Sequence, residues 1–250
     1  MPTYTAPLRD IRFVLHDLLD LERTLASTGA FPGLDRALID QVLEEAATLS
    51  AERIQPHNQS ADAEGCRLTP AGVVVPPGIR AAWEAFRDGG WPGLTAKPEH
   101  GGQGLPKTLA FVLNEMTSSA SIAASDYFGI FSMVYRMVQL HAAPELQARY
   151  SEGLAQGRFG GTMCMTEPHC GTDVGLAKTR AEPNPDGTWR ITGTKIFISA
   201  GDHDLTENIV HLVLARAVGD QPGSRGLSLF LTPKVLPDGT RNQLKAVRLE

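Results

Sequence analysis

The sequence predicts an α+β fold: an all-helical N-terminal part, residues 1–157, leads into an antiparallel, barrel-like β part, residues 158–250. Three observations carry the prediction. Up to about residue 157 the apolar residues recur at the three- and four-residue spacing of amphipathic helices. After Gly157 they form short runs rich in β-branched residues, set apart by Gly, Pro, Asn and Asp. Between two of those runs stands Asp186-Gly187, a strong short-range signal for a β-hairpin.

The helices follow in order. Val14, Leu18, Leu21 and Leu25 share one helical face. Asp35 is placed to cap a second helix with a stripe of Leu38, Val42, Ala46 and Leu49, and with Glu44, Glu45 and Glu52 outside it. Pro76-Pro77 introduces a short amphipathic helix over 79–86, ended by Gly89-Gly90. Pro106 sits in the first turn of a helix that carries Leu109, Val112, Leu113 and Met116. The segment 122–140 is apolar nearly all round, which predicts a buried central helix. A last helix starts at Pro144 and runs to about Gln156.

The strand-like runs are 159–165, 177–181, 188–198, 209–215 and 227–231. Pro237-Asp238-Gly239 marks a second turn before a final run, 244–249. That run closes the chain without a polar tail, so the sequence is read as truncated.

Composition narrows the class of function. The 250 residues carry 23 Lys and Arg against 28 Asp and Glu, a net charge of −5, without the basic excess of a nucleic-acid binder. With 42% hydrophobic and 20% charged residues, the chain can bury a core. Three cysteines, Cys66, Cys164 and Cys170, are an odd number that argues against a disulfide framework and for a reducing, cytoplasmic compartment. Arg9, Asp10, Arg12, Asp17 and Asp20 break up any signal-peptide core, and no stretch reaches the roughly 18 apolar residues of a membrane span.

Chemistry is concentrated in residues 160–173, Gly-Gly-Thr-Met-Cys-Met-Thr-Glu-Pro-His-Cys-Gly-Thr-Asp, where a strand runs into a turn. Glycines, hydroxyls and backbone N–H groups there make either an anion-binding concavity or an ordinary polar turn. Neither G-x-x-x-x-G-K-[ST] nor G-x-G-x-x-G occurs. Gly101-Gly102-Gln103-Gly104 reads as a tight loop. Cys164, His169, Cys170, His203 and Asp204 lack the spacings of a zinc site, and no metal is assigned. Neighbouring His169 and Cys170 point apart in an extended chain, which argues against a nucleophilic pair. Asp202-His203-Asp204 reads as a solvated turn.

Two spaced segments carry a family resemblance. Met165-Thr166-Glu167-Pro168 followed by Gly171-Thr172-Asp173 resembles the T-E-P-x-x-G-[ST]-D flavin segment of the acyl-CoA dehydrogenases. Gly193-Thr194-Lys195-Ile196-Phe197-Ile198-Ser199-Ala200-Gly201 resembles their second flavin segment, G-x-K-x-[WF]-I-[TS]-x-G. The interval between the segments and the order of a helical then a β domain also match. Residues 4–10, 98–104 and 201–204 are similar to the longer-chain branch of that family.

The resemblance implies an FAD-dependent oxidoreductase of fatty acid metabolism. It turns an acyl-CoA into trans-2-enoyl-CoA, acts as a homodimer at full length, and passes electrons to an electron-transfer flavoprotein. Met165 and Thr166 are implied to contact the flavin ring, with Met163 beside them where many relatives have an aromatic residue. Gly171 and Thr172 would meet the pyrophosphate, with Thr172 also near the CoA thioester arm. Phe197 would cover the ring and the Ser199 hydroxyl approach flavin N5. The family's general-base glutamate belongs to a C-terminal helical domain that these 250 residues lack. No catalytic residue is therefore assigned, Glu167 is read as a turn carboxylate, and the chain alone is expected to be inactive. The alternatives are a non-catalytic flavin- or acyl-CoA-binding module, a split-gene product, or a flavin oxidase or monooxygenase on the same scaffold.

Overall fold

A computed structural model describes residues 3–249. The helical part opens with α1 (Leu8–Arg12), which widens into a π-helical turn over Phe13–Leu18, and α2 (Leu21–Thr28). The continuous face predicted here is broken. The π turn shifts the residue spacing, and Asp20 at φ +44° ends the run. Ile11, Leu15 and Leu21 face the core, whereas Val14 and Leu18 are exposed.

Helix α3 (Arg36–Thr48) is capped as expected: Asp35 accepts from the Leu38 N–H at 2.9 Å. Its buried stripe is Ile39, Leu43 and Ala46, which continues to Leu49, so it lies one residue on from the predicted Leu38 and Val42. After α4 (Asn58–Glu64) comes an element that the sequence did not suggest, a hairpin of β1 (Arg67–Thr69) and β2 (Gly72–Val74). Helices α5 (Pro77–Asp88), α6 (Lys107–Ala120), α7 (Ile122–His141) and α8 (Pro144–Ala155) follow at the predicted places. Loop 101–104 folds tightly back, with the Gln103 N–H donating to the Gly93 carbonyl at 2.9 Å.

The central helix α7 is half-buried rather than enclosed. Phe128, Phe131, Val134 and Val138 point inward, while Ile122, Met133 and Leu140 are exposed. Trp83 is completely buried, with the rings of Phe86, Phe128 and Phe131 within 6.0 Å of its own. Among the described residues no helix is long and apolar enough to cross a membrane.

The second part is one five-stranded sheet of β3 (Phe159–Cys164), β4 (Arg180–Pro183), β5 (Trp189–Thr192), β6 (Asn208–Ala217) and β7 (Ser228–Pro233). It is mixed, not purely antiparallel. β6 runs parallel to both β3 and β4, and antiparallel pairing is confined to β4–β5 and β6–β7. Turn signals such as Asp186-Gly187 report only local antiparallel hairpins; a parallel pair needs a long crossover, here the whole of 165–207. The predicted run 188–198 becomes a strand only over Trp189–Thr192, and 244–249 forms no strand.

β3 lies directly on α7. A Cβ added at Gly161 would stand 2.5 Å from the Val134 Cβ, so only glycine allows this approach. The sheet's entry to the site is thereby seated on the helical core.

Candidate functional site

The chain leaves β3 in a tight turn. Glu167 and Cys170 exchange backbone hydrogen bonds of 2.8 and 3.0 Å, which lifts Pro168 and His169 to an exposed tip. Asp173 then accepts from the Gly175 N–H at 3.0 Å and starts a 3₁₀ turn, Val174–Leu176. Between these two fixed points the N–H groups of Gly171, Thr172 and Asp173 have no acceptor among the described residues. Gly171 and Thr172 are exposed, and Gly171 lies against Thr166, whose Cγ2 is 3.2 Å from where a Cβ would be. Consecutive unpaired donors on an exposed turn suit an anion.

The second segment, 193–201, lies beside this turn. Ile196 donates from its backbone N–H to the Thr166 carbonyl at 3.0 Å. Lys195 Nζ donates to the Met165 carbonyl at 2.9 Å and to Glu167 Oε1 at 2.8 Å. Gly193 is pressed so closely on Thr179 that a Cβ would sit 2.2 Å from its Oγ1. Further along, Phe197 and Ala200 both occupy the left-handed region, at φ +55° and +53°. That backbone costs a non-glycine residue about 1–2 kcal/mol, and it throws the Phe197 ring outward, 67% exposed. Ser199, between them, is tied down through its carbonyl, which accepts from Thr162 Oγ1 at 2.7 Å.

Glu167 is therefore more than a turn carboxylate. It is buried beneath the turn and accepts from the Lys178 and Thr179 N–H groups at 2.8 and 3.0 Å as well as from Lys195. Burial by itself raises its pKa. The Lys195 ammonium, with the Thr179 and Lys178 donors, outweighs that and brings the carboxyl down from 4.5 to about 2. A carboxylate with so low a pKa, and with both oxygens already accepting hydrogen bonds, is a poor general base at neutral pH.

Of the residues expected at the site, Met165, Thr166, Gly171, Thr172, Phe197 and Ser199 belong to these two adjoining segments. Met165 is 44% exposed, an open apolar side chain like Phe197. Met163 is half-buried and packs against the cluster that includes Val134, Tyr150 and Leu212. Glu167, His169 and Cys170 come within 4.8 Å of one another, but both Glu167 oxygens are already occupied by donors from the protein. Cys164 is a packed thiol that burial pushes up to about 12, with its Sγ 3.9 Å from His211 Nδ1.

The residues after Gly201 are not a solvated turn. The Asp202 side chain is buried, pairs with Lys234 at 2.6 Å, and accepts from the Val73 N–H of β2 at 3.1 Å. Asp204 accepts from Val75 at 3.1 Å and pairs with Arg80. His203 is enclosed by Tyr127 and Phe131 of α7. The Leu205 N–H donates to its Nδ1, so the neutral ring carries its proton on Nε2. The loop welds the end of the second segment to the helical part. The alternation of Asp202 and Asp204 was the available signal: it matches the outer N–H groups of Val73 and Val75.

Comparison with known proteins assigns the class. The family model described as acyl-CoA dehydrogenase, N-terminal domain, matches residues 39–158, and that for the middle domain matches 162–247. The chain belongs to the acyl-CoA dehydrogenase family. It is 40% identical to 3-methylmercaptopropionyl-CoA dehydrogenase of Ruegeria pomeroyi, over 99% of this chain and 43% of that protein. It is 32% identical to the broad-specificity linear acyl-CoA dehydrogenase FadE5 of Mycobacterium tuberculosis, over 100% of this chain and 42% of that protein. The chain thus spans less than half the length of these curated relatives. The structure of an acyl-CoA dehydrogenase complexed with FAD from Bacillus anthracis shares the fold, with a TM-score of 0.65 and 21% identity over 81% of this chain and 32% of that one.

Proposed function

We propose that this chain supplies the flavin-facing wall of an FAD-dependent acyl-CoA dehydrogenase, with residues 1–157 and 158–250 as its helical and β units. The observation that carries the reading is the pairing of Thr166 with Ile196, which sets two segments side by side with their free donors and apolar side chains outward. That donor set fits FAD. Unpaired N–H groups at Gly171 to Asp173 suit a pyrophosphate, and open Met165 and Phe197 suit the faces of a ring system. Bound FAD supplies the hydride acceptor for α,β-dehydrogenation of an acyl-CoA thioester to trans-2-enoyl-CoA.

The chain's own residues do the rest. Thr172 and the Gly171 N–H bind the pyrophosphate, and Thr172 borders the CoA arm. Met163, Met165 and Phe197 shield the ring from water. Thr166 bonds its polar edge, and the Ser199 hydroxyl is aimed where charge develops. No carboxylate of this chain is assigned as general base, and Glu167, the buried one beneath the turn, is locked to Lys195. The chain alone is therefore not expected to reduce a dye acceptor with an acyl-CoA. An electron-transfer flavoprotein as acceptor, a homodimer and a cytoplasmic setting complete the reading; the free thiols of Cys66, Cys164 and Cys170 fit a reducing compartment.

The test separates two hydroxyls. Thr172→Ala removes a donor to a charged oxygen, which is worth about 1.5–3 kcal/mol, so FAD affinity falls roughly ten- to a hundred-fold. Ser199→Ala leaves FAD affinity within about twofold, because its hydroxyl acts in the reaction rather than in binding. Fluorescence titration with FAD measures both, and equal small effects would remove the assignment.

A further inference from the structure

Among the polar contacts that join the two segments, one is of a different kind from the rest. Ile196 to Thr166 and Thr162 to Ser199 are ordinary neutral hydrogen bonds. Glu167 and Lys195 form a buried ion pair, with side chains 3% and 10% exposed, directly beneath the turn. Lys195 holds both the side chain of Glu167 and the carbonyl of Met165, while Glu167 holds the Lys178 and Thr179 N–H groups. A single pair thereby ties together the start of the exposed turn, its far end and the second segment. His169 Nε2 stands 3.7 Å from Glu167 Oε2 on the outer side.

We infer that Glu167 and Lys195 are a positioning pair that sets the spacing between the Met165–Thr166 and Phe197–Ser199 walls and holds the donors of 171–173 open for an anion. The inference rests on the flavin reading given above, but the lock itself can be measured without any flavin. Neither side chain touches the cofactor in this scheme; each acts through the backbone it holds.

The chemistry makes a specific demand. A lysine whose only task is packing is replaced well by methionine, which has nearly the same unbranched shape. A lysine that serves as a charged donor is replaced better by arginine, which keeps the charge and the donors. Hydrogen exchange of the Lys178 and Thr179 amides reports the state of Glu167 directly, since both donate to it.

The experiment compares the 250-residue chain with its Lys195→Met and Lys195→Arg variants by amide exchange and by fluorescence titration with FAD. Lys195→Met is expected to speed exchange at Lys178 and Thr179 at least about tenfold and to weaken FAD at least about tenfold, with the amides of α7 unchanged. Lys195→Arg is expected to restore most of both. If Lys195→Met does not fold, adding Glu167→Gln removes the stranded charge; the double variant must then fold while keeping fast exchange at 178 and 179. Wild-type exchange rates in Lys195→Met, or arginine no better than methionine, would overturn the lock. A wild-type chain indifferent to FAD while exchange follows the expected order would support the lock and count against the flavin reading instead.

Discussion

The Thr162 hydroxyl, in the middle of β3, donates to the Ser199 carbonyl at 2.7 Å, so the first strand of the sheet anchors the turn that presents Phe197 and Ser199. Thr162 is fully buried, and Ser199 is exposed. Thr162→Val keeps the shape and removes the donor. We expect a stability loss of about 1 kcal/mol in urea unfolding, the net worth of one neutral hydrogen bond. Faster amide exchange should be confined to 197–201.

The clamp between the two parts is stronger. The Asp202 side chain is buried, and its partners are Lys234 on the chain leaving β7 and the Val73 N–H of β2. Lys234→Met strands that carboxylate, and removal of one partner from a buried pair costs about 3–5 kcal/mol. The urea midpoint should fall accordingly. Asp202→Asn with Lys234→Met should recover part of the loss, because it removes the charge that had been left alone.

Acid should weaken the protein through its buried histidines. Burial, followed by the nearby Lys234, lowers His203 from 6.5 to about 3; burial also lowers His211 to about 4. Both are neutral in the fold and take up a proton only on unfolding. Their contribution is whole above about pH 6.5 and is lost as pH falls towards the folded values, by about 2 kcal/mol for each between pH 7 and 5. Glu167 has a separate window. Its pKa is depressed, so its stabilisation is present above 4.5 and fades only as pH falls to about 2. Urea unfolding at pH 7 and pH 5 tests this, and His203→Phe should flatten the dependence.

Phe197 offers a trade between strain and binding. Its φ of +55° is unfavourable for any side chain, and its exposed ring gains little from burial. Phe197→Gly should leave stability unchanged or raise it by up to about 1 kcal/mol. FAD affinity should nevertheless fall, since the ring face is lost. Thermal unfolding and flavin titration together decide the point.

The sequence showed what depends on near neighbours. Asp35 and Pro77 announced their helices and Asp186-Gly187 its hairpin, and two short segments carried the resemblance on which the proposed site rests. What it hid depends on residues distant in the chain. Glu167 and Lys195 are 28 positions apart, and nothing local to either says that they meet. The parallel pairing of β3 with β6 is hidden for the same reason, because turn chemistry reports hairpins and not crossovers. Helical period also failed where the helix was not α. The π turn at Phe13–Leu18 moved the buried face away from Val14 and Leu18.

Residues 165–172 and 197–199 are proposed to form one flavin-binding face. The most direct test is to titrate FAD into the isotope-labelled chain and follow its amide resonances, which register even weak binding. Shifts are expected at Met165, Thr166, Gly171, Thr172, Phe197 and Ser199 that saturate together, with the groove between α3 and α5 around Glu45, Glu84 and Trp91 unaffected. Shifts in that groove with none at Thr172 and Phe197, or an unchanged spectrum at millimolar FAD, would contradict it.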